Sequence, residues 1–226
     1  MHSNRDSGGI NMYLSAFILD QHTPAVRQCL ANCHDMHRTI MSGFGQYNSD
    51  TPRAEAGILY RLDASCKDIK LFVLSKDMPN WENLQKSGFK AIKNSPKDIS
   101  ETIKSLRVNR IFAFDLLANP SKKKAREGQK NSARIPLNTA EEKEKWLQQK
   151  ALQNGFKIQW MREEGSVKYL SKQGQGRENA THFGVKFRGQ LAVTDEALFQ
   201  NAFENGVGSG KSYGFGMLML FPASGA

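Results

Sequence analysis

The chain has 226 residues, enough for one large domain or two small ones that each bury a hydrophobic core. Lysine and arginine total 32 against 22 aspartates and glutamates, and the resulting net charge of +10 favours a polyanionic partner such as a nucleic acid. Hydrophobic residues make up 39% of the chain, which argues against intrinsic disorder. No apolar run reaches the roughly 18 residues that span a bilayer, so we expect no membrane association.

The cysteines and the N-terminal sequence bear on the cellular compartment. Three cysteines form an odd and sparse set, which predicts no disulfide framework and a reducing environment. Residues 1–11 lack the pattern of a secretory signal and precede a second methionine, Met12, so we interpret them as a tag or an extension. These features predict a cytoplasmic protein.

The first half of the chain predicts a strand, a helix, two strands, a helix and a strand. The strands are expected at 13–19, 58–62, 69–74 and 89–92. The first helix opens at Pro24 and carries an apolar stripe as far as Ile40, before Gly43 and Gly45 end it. A weaker helix is expected at 81–86, and residues 94–106 are predicted to form a polar connector.

The second half predicts the same order of elements. A strand at 108–117 and a basic loop lead to a helix at 140–154, with Thr139 as its N-cap, Glu142 at the capping-box position and Gly155 as its stop. Strands at 156–161 and 182–193, a helix at 195–205 that Gly206 stops, and a strand at 215–221 follow.

This repetition predicts an α+β fold of two tandem ferredoxin-like (βαββαβ) domains with antiparallel sheets. The first domain is expected at 12–94, a linker at 95–107 and the second domain at 108–222.

A glycine-rich run at 205–212 (NGVGSGKS) approaches a phosphate-binding P-loop but departs from it. The P-loop needs a glycine where Asn205 stands, and it joins a strand to a helix, whereas this run lies between a predicted helix and a predicted strand. A nucleotide-dependent phosphotransferase is therefore disfavoured. A flexible loop is one interpretation, but glycines around a lysine also let amides and an ammonium approach a phosphodiester chain. The residues predicted to make this contact are Gly206, Gly208, Ser209, Gly210, Lys211 and Ser212.

A basic stretch at 119–134 (NPSKKKAREGQKNSAR) holds six cationic residues against one acid. Such runs are most often solvated loops. The position of this one between a strand and a helix, together with the overall positive charge, favours an arm that lies on RNA. Its basic residues are Lys122, Lys123, Lys124, Arg126, Lys130 and Arg134.

Two histidines, His34 and His37, lie three residues apart on the first predicted helix and project from adjacent turns. Zinc would need two further ligands, and no second ligand pair is visible, so no metal site is predicted. Two interpretations stay open. Either residue could have a structural role at the edge of the apolar stripe, or the pair could transfer protons during phosphodiester cleavage, since imidazole titrates near neutral pH.

An ordered set of segments resembles the CasE (Cse3) endoribonucleases of type I-E CRISPR systems, members of the repeat-associated mysterious protein superfamily. The segments are MYLSAFIL, MHRTIMSGF, FAFDLLANPSKK, ARIPL, KWLQQKA, FRGQLAVTD and GVGSGKSYGFGMLML, in order from Met12 to Leu220.

The resemblance implies an enzyme that cuts precursor CRISPR RNA beside the repeat stem-loop without a metal ion or cofactor. It implies attack by the 2′-hydroxyl, leaving a 2′,3′-cyclic phosphate or 3′-phosphate and a 5′-hydroxyl. The helix histidine of the family matches His37, and its basic loop residue matches Lys211. The implied partners are the repeat stem-loop RNA, which the basic arm would grip, and the other subunits of the Cascade complex.

The chain departs from the family pattern at His34, where the family commonly has a tyrosine. Imidazole at this position could keep the catalytic role with a changed pH dependence, or the role could be lost. The alternative function is therefore a non-catalytic subunit of the same fold that binds CRISPR repeat RNA.

Overall fold

Two antiparallel sheets, one of five strands and one of four, form the frame of the described residues, and each contains the strand order of a ferredoxin-like unit. The computed structural model describes residues 11–45, 52–124, 133–172 and 179–223. The strands of the first sheet are β1 (Tyr13–Leu19), β2 (Leu59–Ala64), β3 (Ile69–Ser75) and β4 (Phe89–Ala91). Their order is β2-β3-β1-β4, and a further short strand, β5 (Lys97–Asp98), pairs with the start of β1.

The second unit repeats this arrangement and adds a two-stranded hairpin that forms a sheet of its own. Its strands are β6 (Ile111–Ala118), β9 (Phe156–Ser171), β10 (Ala180–Val193) and β11 (Leu218–Pro222). Their order is β11-β6-β10-β9. When the four main strands of each unit are numbered 1 to 4 along the chain, both sheets have the order 4-1-3-2. The predicted basic loop holds the paired strands β7 (Ser121–Lys124) and β8 (Ala133–Pro136). The predicted fold class is confirmed.

The helices connect these strands and cover the sheets. They are α1 (Pro24–Ala31), α2 (Cys33–Met41), α3 (Pro52–Glu55), α4 (Glu82–Lys86), α5 (Ser100–Lys104), α6 (Ala140–Gln153) and α7 (Glu196–Asn205), with a 3-10 helix at Lys211–Tyr213. Within the described ranges, none of these helices is long and apolar enough to cross a membrane.

Local sequence signals place the ends of α6 and α7. The Thr139 hydroxyl accepts the Glu142 N–H at 3.1 Å, as an N-cap does, while the Glu142 carboxylate accepts the N–H of Asn138 at 3.4 Å. Asp195 caps α7 in the same way. Gly155 and Gly206 end the two helices with φ angles of 71° and 80°, a conformation that favours glycine.

The single helix predicted from Pro24 onward is wrong, because the chain leaves the helical conformation at Asn32. This residue has φ −145° and ψ 107°, and its side-chain oxygen accepts the N–H of His34 at 3.2 Å as the N-cap of α2. The same oxygen accepts the N–H of Lys172 at 2.9 Å. Asparagine competes with the helix for hydrogen bonds, and here it bonds to the end of β9 as well.

The segment predicted to be a polar connector is partly structured and buried. It contains β5 and α5, and Ile99, Ile103 and Leu106 are 8%, 1% and 0% exposed. All three belong to the core cluster that contains Phe114 and Leu147 of the second unit. The apolar residues at four- and three-residue spacing form a short buried face that the surrounding polar residues concealed.

Two hydrophobic clusters lie on opposite faces of the first sheet. One joins Phe17, Leu71 and Val73 to helices α1, α2 and α4. The other joins Leu59 and Leu74, from the opposite face, to the core of the second unit. The first sheet is therefore covered by helices on one side and by the second unit on the other.

A buried ion network also connects the two sheets. Arg61 on β2 is fully buried and donates from Nη2 to the Asp115 carboxylate on β6 at 2.8 Å and from Nη1 to the Asp115 carbonyl at 3.2 Å. Arg188 and Lys186 on β10 contact the other Asp115 carboxylate oxygen at 2.7 and 3.4 Å. Burial alone would raise the pKa of Asp115, but these cations hold it below its ordinary value. The network fixes β2 relative to β6 and β10.

Candidate active site

Helix α2 carries both predicted histidines, and its start is tied to the second unit. Asn32 caps α2 and makes two hydrogen bonds with the backbone of Lys172: its Oδ1 accepts the N–H, and its Nδ2 donates to the carbonyl oxygen at 3.2 Å. Both histidines are half-buried. The end of β9 thus lies against the first turn of the helix on which His34 and His37 project.

His37 is held as a neutral imidazole. Its Nδ1 is buried and has no hydrogen-bond partner among the described residues. Burial lowers the pKa of His37 to about 4, and the positive charges of Arg53 and His34 act in the same direction. At neutral pH the ring is therefore unprotonated and can accept a proton.

The glycine-rich run follows helix α7 and precedes strand β11, the reverse of the order in a P-loop. The run is bonded to its surroundings at both ends. The Val207 N–H donates to the Gly216 carbonyl at 2.9 Å, and the Gly216 N–H donates to the Leu117 carbonyl at 2.8 Å. A Cβ on Gly216 would lie 2.8 Å from the Val207 carbonyl oxygen, so glycine is required for this close approach.

Between these ends lies a row of amides with no hydrogen-bond partner among the described residues. In the part of the chain that the structure describes, none of the N–H groups of residues 208–212 donates a hydrogen bond. The Ser209 hydroxyl lies 3.3 Å from the Ser121 hydroxyl, which joins the run to the hairpin. Successive free amides beside a lysine form a concave anion site of the kind that phosphate occupies. This geometry fits the predicted contact of Gly208, Ser209, Gly210 and Ser212 with phosphate.

Lys211 begins the 3-10 helix, which contacts both α2 and β2. Its side chain is half-buried, and burial lowers the pKa of Lys211, with the charges of Arg53 and Lys150 acting in the same direction. The structure therefore brings the segment of Lys211 against the helix of His34 and His37, as a site built from all three residues requires.

Arg53 is a further cation at this site that the sequence analysis missed. It lies on the short helix α3, its Nη1 donates to the Ile58 carbonyl at 2.7 Å, and burial lowers its own pKa. Its charge lowers the pKa of both His37 and Lys211, so it lies close to both. The sequence around Arg53 has no periodicity or motif that would have identified it.

A basic groove of about 790 Å³ leads to Lys211 between the hairpin, α6 and the glycine-rich run. Predicted residues on its walls are Lys122, Arg134, Gly206, Gly208 and Ser209. Two lysines of α6 that were not predicted, Lys145 and Lys150, also line it. They were missed because lysines on a helix usually indicate only a solvated face.

The described residues of the groove wall do not include the remaining predicted RNA contacts, which are Lys123, Lys124, Arg126 and Lys130. Lys123 is exposed and lies opposite Arg134 in the hairpin, but it is not part of the groove wall. Lys124 lies in β7, and its side chain is outside the description. Arg126 and Lys130 lie outside the described residues.

The other ligand-type side chains form no metal centre within the described ranges: no group of three or more His, Cys, Asp or Glu residues is arranged to hold a metal ion there. Cys29 and Cys33 are free and buried, and Cys66 is free and exposed. Burial raises the pKa of the Cys33 thiol to about 11, which keeps it protonated beside the histidines of α2.

Comparisons with known proteins bear on this site. A family model described as CRISPR associated protein matches residues 12–222. The CRISPR-associated endoribonuclease Cse3 of Thermus thermophilus is 26% identical over 223 residues, which cover 93% of this chain and 100% of that protein. The structure of Thermus thermophilus Cse3 bound to an RNA that represents a pre-cleavage complex matches 94% of this chain and all of that one, with a TM-score of 0.77 at 26% identity.

A second solved structure, Cas6e from Escherichia coli K-12, shares the fold. It covers 93% of this chain and 100% of its own, with a TM-score of 0.65 at 21% identity. The extent of the family match and the ordered similarity to Cse3 agree with the segments quoted from the sequence. The chain belongs to this family of CRISPR-associated proteins, and its resemblance to the CasE (Cse3) endoribonucleases is confirmed.

Proposed function

We propose that this protein is an endoribonuclease that cleaves precursor CRISPR RNA beside the repeat stem-loop and retains the product as a subunit of a Cascade complex. The observation that supports it best is the contact between α2, with His34 and His37, and the 3-10 helix that begins at Lys211. The free amides of residues 208–212 lie beside it. The relative named an endoribonuclease and solved with RNA supports the same activity.

In the proposed reaction the RNA supplies its own nucleophile. The neutral His37 imidazole takes the proton of the 2′-hydroxyl, the 2′-oxygen forms a bond to the adjacent phosphorus, and the bond from phosphorus to the 5′-oxygen breaks. His34, one helical turn away, gives a proton to the leaving oxygen. The products are a 2′,3′-cyclic phosphate, which can open to a 3′-phosphate, and a 5′-hydroxyl. Lys211, Arg53 and the loop amides stabilise the charge that grows on the phosphate oxygens.

The proposed function is tested by incubating the protein with a CRISPR-repeat stem-loop RNA in excess EDTA. We expect cleavage of the all-ribose RNA and none of an RNA with a single 2′-deoxyribose on the 5′ side of the cut, because that change removes the nucleophile. Product ends are identified by mass spectrometry. Tight binding of both RNAs with no cleavage would contradict the proposal and favour the alternative, a non-catalytic RNA-binding subunit.

The basic groove is proposed to hold the phosphates of the stem. Phosphate contacts suit an RNA stem, because the narrow major groove of A-form RNA is hard for side chains to read. Each lysine that neutralises a phosphate also makes binding depend on salt, since counterions are released on association.

Replacing Lys145 and Lys150 together by alanine is expected to weaken stem-loop binding and to reduce the slope of log Kd against log salt by about 2, one for each lost phosphate contact. The measurement is fluorescence anisotropy at several salt concentrations. The matched control is Lys104→Ala, a lysine on α5 that pairs with Glu101 and lies outside the groove. Equal effects of the double variant and the control would show that the groove does not bind RNA.

The place of action is proposed to be the cytoplasm. Three free cysteines, one of them exposed, suit a reducing compartment.

A chain in the CRISPR RNA-guided surveillance complex shares the fold of this protein over 93% of the present chain, with a TM-score of 0.64 at 22% identity. This likeness supports the proposed place within a Cascade complex.

A further inference from the structure

The hydroxyl of Tyr60 lies between the two segments that form the proposed active site. Tyr60 is on β2 and only 1% exposed. Its hydroxyl donates to the Ser212 carbonyl oxygen at 3.1 Å, and the Cys33 carbonyl oxygen lies 3.4 Å away as a second, longer acceptor. One acceptor directly follows Lys211 in sequence, and the other directly precedes His34.

The ring of Tyr60 supports the loop as well as its hydroxyl does. Gly214 has φ 88°, and a Cβ added there would lie 3.1 Å from Cε2 of Tyr60. The glycine therefore lets the chain after Lys211 lie directly on the tyrosine ring. Burial raises the pKa of Tyr60 well above its ordinary value, so the hydroxyl keeps its proton as a donor.

Close packing is incomplete at this junction. A cavity of about 140 Å³ lies there, and its walls include Tyr60, Cys33, Met36, Tyr169 and Tyr213. A gap of this size removes van der Waals contacts that would otherwise set the distance between α2, β9 and the 3-10 helix. The Tyr60 hydroxyl, which donates its single proton to the Ser212 carbonyl oxygen with the Cys33 carbonyl oxygen as the longer acceptor, is therefore a direct link between the two segments at this point.

We propose that Tyr60 is a positioning residue of the ribonuclease: its hydroxyl sets the spacing between the helix of His37 and the segment of Lys211. The inference rests on the proposed function, because the two segments it joins are those of the proposed active site. Tyr60 does not touch the reacting atoms and acts only through the backbone of Cys33 and Ser212.

The first test is Tyr60→Phe, which removes only the hydroxyl. We expect single-turnover cleavage at saturating protein to fall about fivefold to thirtyfold, the effect of a lost buried hydrogen bond, with an unchanged Kd for the stem-loop RNA and a thermal midpoint lowered by only about 2 to 4 °C. The matched control is Tyr13→Phe, which removes a tyrosine hydroxyl from β1 of the same sheet. This variant should cleave the RNA at the wild-type rate. A wild-type rate for Tyr60→Phe would overturn the inference.

A double-mutant cycle separates positioning from a general structural effect. If Tyr60 acts by placing Lys211, Tyr60→Phe should have almost no further effect on the residual rate of Lys211→Ala, because the group it positions is gone. Independent, multiplicative losses would contradict the inference.

Amide hydrogen exchange tests the link without any cleavage. Tyr60→Phe should speed exchange at residues 213 and 214, whose N–H groups donate to Gly210 and Lys211, and in the first turn of α2, and leave the β3 strand unchanged. Failure of the wild-type protein to cut RNA would contradict the proposed function. The exchange measurement would still show whether the Tyr60 hydroxyl links the two segments. Unchanged exchange at both segments would overturn the inference.

Discussion

His37→Ala is expected to slow single-turnover cleavage of repeat RNA by about 10²- to 10⁴-fold, the usual contribution of a general acid or base. The RNA affinity should change little, because the basic groove and the loop amides stay in place. Cleavage is measured with protein in excess over labelled stem-loop RNA. A rate within threefold of the wild type would show that His37 takes no part in the chemistry.

The pH dependence of the wild type assigns the direction of proton transfer. Burial, with Arg53 and His34 beside it, lowers the pKa of His37 to about 4, so the free protein holds the neutral base throughout the neutral range. As a base, His37 should keep kcat/KM from rising between pH 5.5 and 8 and make it fall toward pH 4, because that profile reports the free protein. Deprotonation of the proposed acid, His34, accounts for a fall of kcat/KM at higher pH. A fall of kcat/KM with rising pH that persists in His34→Ala would assign His37 as the acid instead.

A companion variant tests the residue that departs from the family pattern. His34→Ala should slow cleavage across pH 5.5–8.5 if His34 gives the proton to the leaving oxygen. It should also raise the pKa of His37, because the charge of His34 helps to lower it. Wild-type rates throughout this range would remove His34 from the mechanism and leave it a structural residue of α2.

Asp115→Asn is expected to destabilise the protein by about 1 to 3 kcal/mol at pH 7, because buried Arg61 loses one of its two carboxylate partners and keeps only Asp63. Arg61 is fully buried, and the Asp115 carboxylate that it contacts also holds Arg188 and Lys186. The variant keeps the volume of the side chain, so the loss comes from charge. Urea unfolding measures it, and Glu101→Gln, at an exposed pair with Lys104, should change stability by less than about 0.5 kcal/mol.

The effect of Asp115→Asn has a defined pH dependence. The pKa of Asp115 lies below its ordinary value in the folded protein, so the carboxylate contributes its full stability above the unfolded pKa of about 3.9 and loses it as pH falls through the folded pKa. The difference between wild type and variant should therefore be largest near pH 7 and shrink below about pH 4. A difference independent of pH would show that the ion network is not its source.

Local signals allowed much of the fold to be predicted from the sequence. Thr139, Gly155 and Gly206 act through bonds and angles within a few residues, and the structure places all three where the sequence indicated. The repeated order of strands and helices was enough to predict two ferredoxin-like units, because the apolar face of each sheet and each helix must pack against another element. His37 and Lys211 were identified through the family resemblance and the glycine-rich run, not through the contact between α2 and the 3-10 helix.

The parts that could not be predicted depend on contacts between distant residues. The break at Asn32 is stabilised by the backbone of Lys172, and no local pattern announces that bond. Arg53 is connected to the site only through the effect of its charge on His37 and Lys211 in the folded protein. The role of Tyr60 depends on two carbonyl oxygens from opposite ends of the chain. The spacing of residues along a sequence does not predict such tertiary contacts.

The shared core has a consequence for how this protein can change over generations. Leu59 and Leu74 of the first sheet pack in one cluster with Phe114 and Leu116 of the second. An exchange of one half of the gene for the half of a distant relative would set two mismatched surfaces against each other in that core. It would also move the His37 helix relative to the Lys211 segment. Each half has the topology of an independent unit, but we expect the two to fold and function only when their sequences are matched to each other.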